Sequence, residues 1–194
     1  MIYGYSVSFS HGTTFFEENR VGGKGAALDV HVCSNASWTG VTTFKGDTAN
    51  RAGAIFVWKL DVSWTGNTTF VDTVANLGGG AVYATVNTQN NCQGTTIFRN
   101  NAAVIGNGGA LGIYGYDSDE ESYVHISGET TFANNVALMH GGGILSNVND
   151  VGQHVEGVTF RSNSAGIGGA VATFGTGTAT NVRQSPQRSC DEEL

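Results

Sequence analysis

Only one proline, Pro186, occurs in 194 residues, and only 13% of the chain is charged. The 29 glycines follow no Gly-X-Y period, which excludes collagen, and 40% apolar content is too rich for a disordered chain. Lysine is scarce and the net charge is −7, a balance that argues against nucleic acid or an anionic membrane as partner, since either would call for a basic face. A mildly acidic surface of this kind serves solubility. No apolar run approaches the roughly 18–20 residues that span a bilayer. The opening "MIYGYSVSFSHG" lacks the basic end and apolar stretch of a secretory signal. The closing "DEEL" resembles an ER-retention tetrapeptide only loosely and reads equally as an exposed acidic end. The three cysteines, Cys33, Cys92 and Cys190, form neither a CxxC pair nor a Cys/His metal spacing. Their odd number leaves at least one thiol free, against a disulfide framework.

What is abundant is a repeat. "GTTIFRNNAAVIGNGGAL" from Gly94 returns as "GETTFANNVALMHGGGIL" from Gly128 and "GVTFRSNSAGIGGAV" from Gly157. Diverged copies begin at Gly12, Gly40 and Gly66. Anchored on Phe16, Phe44, Phe70, Phe98, Phe132 and Phe160, the steps are 28, 26, 28, 34 and 28 residues, a period that signals stacked units. Three residues after each Phe stand Asn19, Asp47, Thr73, Asn101, Asn135 and Asn163. Two before it stand Thr14, Thr42, Thr68, Thr96 and Thr130, then Val158. A Gly-Ala-aliphatic step follows, as in Gly53-Ala54-Ile55, Gly80-Ala81-Val82, Gly109-Ala110-Leu111 and Gly169-Ala170-Val171. Before each TTF segment lies a third apolar patch, as in "LDVSWTG" and "SYVHISG", where apolar and polar residues alternate as in a strand with one buried face.

Each unit thus offers three short strands separated by Gly- and Asn-rich turns. No segment sustains the i, i+3, i+4 spacing of a helix, which argues against a leucine-rich or other helical solenoid. A lone strand trio cannot bury its apolar face, but units stacked about 4.8 Å apart can. The expected fold is all-β, a right-handed parallel β-helix of about six coils with three strands per coil. Phe faces inward and lies on the Phe of the next coil. Asn is expected at the bend, in left-handed backbone, with its amide bonded along the column. Gly-Gly-Ala permits a tight turn against the neighbouring coil. Trp38 and Trp64 align and are expected in the core. Cys33 and Cys92 lie two coils apart, about 9–10 Å, beyond the roughly 7 Å a disulfide spans, so no bond is expected between them.

Residues 1–11 read as the third strand of an incomplete coil, 12–175 as the repeat array, and 176–194 as a partly disordered tail. The ends carry no polar cap, so flanking coils of a longer chain are expected partners. The long 34-residue step holds "GIYGYDSDEESYV", read as a loop projecting between Ile113 and Val124. Its Asp117, Asp119, Glu120 and Glu121 are a weak candidate for Ca²⁺, although the spacing misses the EF-hand pattern.

The FxxN and GGA-aliphatic motifs, Phe16 with Asn19, Phe98 with Asn101, Phe132 with Asn135, Phe160 with Asn163, Gly108 to Leu111 and Gly168 to Val171, resemble the repeats of the polymorphic outer-membrane proteins. The resemblance covers residues 12–174. It implies a pectin-lyase-like β-helix, adhesin-like, at a cell outer-membrane surface or secreted. Its partner would be a host or cell-surface protein or glycan, with no cofactor and no catalytic residue. Asp47 and Thr73 depart from the pattern. The alternative is a polysaccharide lyase or hydrolase of the same fold class, which needs converging carboxylates or a cation with a base. Glu18 and Asp72 are separated by a coil carrying Gly46, and no column stacks carboxylates in adjacent coils. Ice binding needs two outward threonine columns, and Phe15 and Ile97 interrupt the single outward one. His125 and His154 align as an outward pair, a weak metal candidate. Asn35-Ala36-Ser37 and Asn67-Thr68-Thr69 match the glycosylation sequon.

Overall fold

The computed structural model describes residues 2–3, 6–9, 12–31, 35–58, 62–85, 89–92, 94–115, 123–126, 128–147, 153–155, 157–174 and 179–182. All strands in them pair in parallel, and they form a β-solenoid. The Phe strands make one six-stranded sheet: Thr13–Glu17, Val41–Lys45, Asn67–Val71, Thr96–Arg99, Thr130–Ala133 and Val158–Arg161. The strands after Gly-Ala make a seven-stranded sheet that includes Leu28–His31, Ile55–Trp58, Val82–Thr85, Leu111–Tyr114 and Ile144–Asn147. A second seven-stranded sheet holds the segments before each TTF run, among them Asn35–Trp38 and Val62–Trp64. Besides these three, a ladder of two-residue strands follows the Phe sheet: Thr48–Ala49, Val74–Ala75, Ala102–Ala103 and Val136–Ala137. Ile2–Tyr3 and Ser6–Phe9 join the two seven-stranded sheets, so residues before Gly12 contribute to both. Ala179–Val182 pairs with Gln153–Val155 through a register shift.

The sequence columns are the structural columns. Phe16, Phe44, Phe70, Phe98, Phe132 and Phe160 are successive register partners. Their rings stack at 4.8, 4.8, 4.7, 4.6 and 5.1 Å, with planes 3–12° apart. Parallel planes with centroids at the strand spacing are offset rather than eclipsed, the arrangement the ring quadrupole favours. Trp38 is fully buried in the same core, as its alternation with Thr39 requires. Thr42, Thr68, Thr96 and Thr130 also point inward and are buried, whereas Phe15 faces out at 62% exposure. At the Gly-Gly-Ala step, a Cβ on Gly80 would lie 1.8 Å from the Gly109 carbonyl oxygen. Only glycine lets successive turns approach this closely.

The bend departs from expectation by one residue. Left-handed backbone falls two after the Phe, at Glu18, Asp72, Asn100, Asn134, Ser162 and the glycine Gly46. The residue three after it turns inward instead, where Asn101 and Asn135 are fully buried. The reason is hydrogen bonding. The Asn135 Oδ1 accepts from both the backbone N–H (3.0 Å) and the Nδ2 (3.0 Å) of Asn101, and Asn163 Oδ1 does the same for Asn135. The amide nitrogens of Asn101, Asn135 and Asn163 also donate to the carbonyls of Phe70, Phe98 and Phe132. An inward polar group at a turn is stable only when it is satisfied in this way.

Asp47 occupies the same column. Its Oδ1 accepts from the backbone N–H and Nδ2 of Asn19, at 2.9 and 2.8 Å, but its Oδ2 is buried without a hydrogen-bond partner. That oxygen stands where the asparagines carry a donor. Burial raises the Asp47 pKa above its ordinary 3.8; the Asn19 hydrogen bonds oppose the rise and Glu17 adds to it. The folded chain therefore keeps this proton to higher pH than the unfolded chain. Its contribution is complete below the unfolded value and is lost as pH rises through the folded one. Asp47→Asn supplies the donor permanently. It should gain about 1 kcal/mol at neutral pH and show a smaller gain near pH 3, read by urea unfolding at both.

Candidate functional site

The residues that set the inside of the Gly-Ala sheet also set its outside. In Ile55–Trp58, Ile55 and Val57 enter the core, so Phe56 and Trp58 leave by the opposite face. The same alternation sends Asp29 and His31 outward, as well as Tyr83 and Tyr114. The outer face therefore carries a second ring cluster. Phe56 and Tyr83 lie 5.4 Å apart, and Tyr83 and Tyr114 lie 4.4 Å apart with planes at 14°. His31 stacks on Trp58 at 6.0 Å and tilts against Phe56 at 5.6 Å.

Tyr114 reaches Tyr83 because Gly112 leaves the intervening place vacant. Gly112 is the register partner of Tyr83, and a Cβ there would lie 2.9 Å from the Tyr114 ring. A Cβ on Gly78 would lie 2.7 Å from the Tyr114 hydroxyl, so the ring rests between two glycines. Phe56 and Tyr83 are buried under the turn that contains Ala52. Trp58, Tyr114 and His31 remain partly open.

Cations and an acid border the rings. Lys24 Nζ lies 4.4 Å from the Phe56 centroid and 5.1 Å from that of Trp58, and the Arg51 guanidinium lies 5.9 Å from that of Tyr83. These distances fall within the range of cation–π attraction. Asp29 Oδ1 lies 2.6 Å from His31 Nε2. The approach is too oblique for a hydrogen bond, so the attraction is Coulombic and requires a protonated imidazole. The face thus combines flat apolar rings, fixed positive charge and one carboxylate–imidazole pair. Such a surface can pack ring edges against a sugar and hydrogen-bond its hydroxyls.

The residues singled out from sequence are distributed elsewhere. The repeat positions Phe16, Phe44, Phe70, Phe98, Phe132 and Phe160, with Asn19, Asn101, Asn135 and Asn163, build the core and its bend. His125 and His154 are register partners; their side chains lie outside the described residues. The acidic run Asp117, Asp119, Glu120 and Glu121 lies outside them too, as do Cys33 and Cys190. Among the described residues no three His, Cys, Asp or Glu side chains are grouped to hold a metal. Among them, no helix is long and apolar enough to cross a membrane. Sequence reading missed the outer ring cluster. Its signal was present, because "AIFVW" and "AVYAT" put aromatic residues at the outward phase of a strand whose inward phase was already aliphatic.

Comparison with known proteins finds no matching family model, no matching curated protein and no matching solved structure.

Proposed function

We propose that this chain is a non-catalytic, adhesin-like β-helix module, displayed at a cell outer-membrane surface or secreted. In this reading the outer aromatic face binds a glycan of another cell's surface. The observation that carries the reading is that Trp58 and Tyr114 are partly open, stacked on His31 and Tyr83 beside Lys24 and Arg51. A ring stack of this kind presents rigid apolar area at little entropic cost. The FxxN and GGA motifs, through their resemblance to surface-displayed repeats, support the setting. Because Trp58 stands on the outer face, its removal leaves the Phe core intact. Trp58→Ala should weaken binding to immobilised cell-surface glycans about tenfold or more, with an unchanged circular dichroism spectrum. Equal binding by Trp58→Ala and Tyr114→Ala would remove this face from consideration.

A polysaccharide lyase or hydrolase is the second reading, and one observation favours it. The Asp29–His31 pair places an imidazole and a carboxylate 2.6 Å apart beside the rings, two groups of the kind that carry protons in glycan cleavage. Release of unsaturated or reducing sugar from polygalacturonate, abolished by His31→Ala, would establish that reading; no release would leave adhesion.

A further inference from the structure

The ladder of two-residue strands and the turn after it carry a second exposed surface, and it is aliphatic. Leu77, Val104, Ile105, Leu138, Met139 and Ile167 are all exposed, from 38% at Leu77 to 62% at Leu138. They align. Ala75, Ala103 and Ala137 are register partners, so the two positions that follow run Asn76, Val104, Leu138 and Leu77, Ile105, Met139. Ile167 lies one column on, as the register partner of His140, and donates its backbone N–H to the Met139 carbonyl. Four consecutive coils thus present one continuous patch, on the order of 600 Å² of apolar surface, at the size that marks an interaction site.

The patch carries no formal charge. Residues 73–80, 101–110, 135–143 and 163–170 contain no Asp, Glu, Lys or Arg. The two preceding coils instead carry cations near these positions, Arg51 with its register partner Lys24, and Arg20 in the column of Thr48, while their Asp47 is buried. The boundary between the two kinds of surface lies between Arg51 and Leu77.

We propose that this patch is a homodimer interface, in which two copies pack antiparallel about a two-fold axis between the coils of Ile105 and Leu138. Three observations select a second copy as the occupant. The side-chain rows repeat at the coil spacing, seen in the ring stack as 4.6–5.1 Å, and a surface of the same pitch interdigitates with them along the full length. A self-paired patch of this size buries about 1,200 Å² in total, the lower end of what specific interfaces use. An uncharged patch meets itself without like-charge repulsion. The flanking charges then set the direction. A parallel pair would bring Arg51 and Lys24 beside their own twins, whereas the antiparallel pair sets the coil of Leu77 against that of Ile167 and moves the cations past the end of the partner's patch. The arrangement is isologous and therefore closes at two copies.

Sedimentation velocity on the full chain, from low to high micromolar, tests this. The wild type should form a reversible dimer. Leu138→Asp and the milder Leu138→Ser should each raise the dissociation constant by at least tenfold, with unchanged circular dichroism. Phe15→Asp, an equally exposed site on another face, should leave dimerisation as it was. Nitroxide labels on Leu77→Cys and Ile167→Cys chains, with Cys33, Cys92 and Cys190 replaced by serine, should give a short 77–167 distance in the mixed dimer and a long 77–77 distance. A wild type that stays monomeric throughout, or a dimer indifferent to both changes at Leu138, overturns the interface. A short 77–77 distance overturns the antiparallel packing.

Discussion

Phe98→Ala should cost about 3–5 kcal/mol of unfolding free energy and lower the urea midpoint accordingly. Phe98 is 1% exposed and stacks on both sides, against Phe70 at 4.7 Å and Phe132 at 4.6 Å. The neighbouring rings cannot collapse into the gap, because Phe70, Phe98 and Phe132 are held in register by parallel ladders on either side. The cavity term therefore adds nearly in full to the lost transfer energy. Solenoid coils contact only their neighbours, so a gap in the middle of the stack weakens two interfaces at once. The transition should also broaden as the two halves lose cooperativity. Two comparisons distinguish this account from a general intolerance of change at phenylalanine. Phe16, at the end of the six-ring stack and only partly buried, stacks on Phe44 and should cost less. Phe15→Ala, one residue away and 62% exposed, should fall within about 0.5 kcal/mol of wild type.

The Phe column was legible in the sequence because its cause is one-dimensional. A strand has period two, a coil adds a near-constant number of residues, and an inward aromatic residue must meet the same residue one coil on. Even the 34-residue step kept the register between Phe98 and Phe132, since its extra length falls away from the Phe strand. The bend was less legible. Asparagine suits left-handed backbone and also suits a buried amide ladder, and sequence alone does not separate the two. The structure does so by placing left-handed backbone at Asn100 and Asn134 and the ladder at Asn101 and Asn135, one residue on. The two-residue ladder went unread because a single inward alanine flanked by outward residues makes no periodic signal. The outer ring cluster depends on Gly112 vacating a place for Tyr114, a contact between columns that no single column reveals. The aliphatic patch was hidden for the same reason: Val104 and Leu138 lie among glycines and alanines that read as turn.

The amide ladder is the second place where one side chain carries a large effect. Asn101→Ala should destabilise by about 3–5 kcal/mol although it removes no ring and little apolar area. Asn101 Oδ1 accepts the Thr73 backbone N–H at 3.1 Å and the Thr73 hydroxyl at 2.6 Å, and Nδ2 donates to the Phe70 carbonyl and to Asn135 Oδ1. The backbone N–H of Thr73 fixes which way the amide points, because only the oxygen can receive it. Alanine leaves that N–H buried and unpaired, at about 1–3 kcal/mol, and forfeits the remaining bonds in a site without water to replace them. The Thr73 hydroxyl keeps an alternative acceptor in the Gly80 carbonyl at 2.8 Å, so it adds little to the loss. Asn101→Asp separates donor from acceptor. It retains the oxygen that serves Thr73 but turns an oxygen toward two acceptors, the Phe70 carbonyl and Asn135 Oδ1. The charged form is disfavoured there, so the folded chain holds the added proton more tightly than the unfolded chain. Sign and window then match those of Asp47: Asn101→Asp should be nearest wild type in acid and lose stability as pH rises through its folded value. The natural Asp47 is tolerated because the next coil offers Thr73 rather than an asparagine, and no side-chain hydrogen bond joins the two among the described residues. Urea unfolding of Asn101→Ala and Asn101→Asp at acid and neutral pH checks both. If the Asp variant lost the same stability at both, the donor would carry none of the ladder's energy.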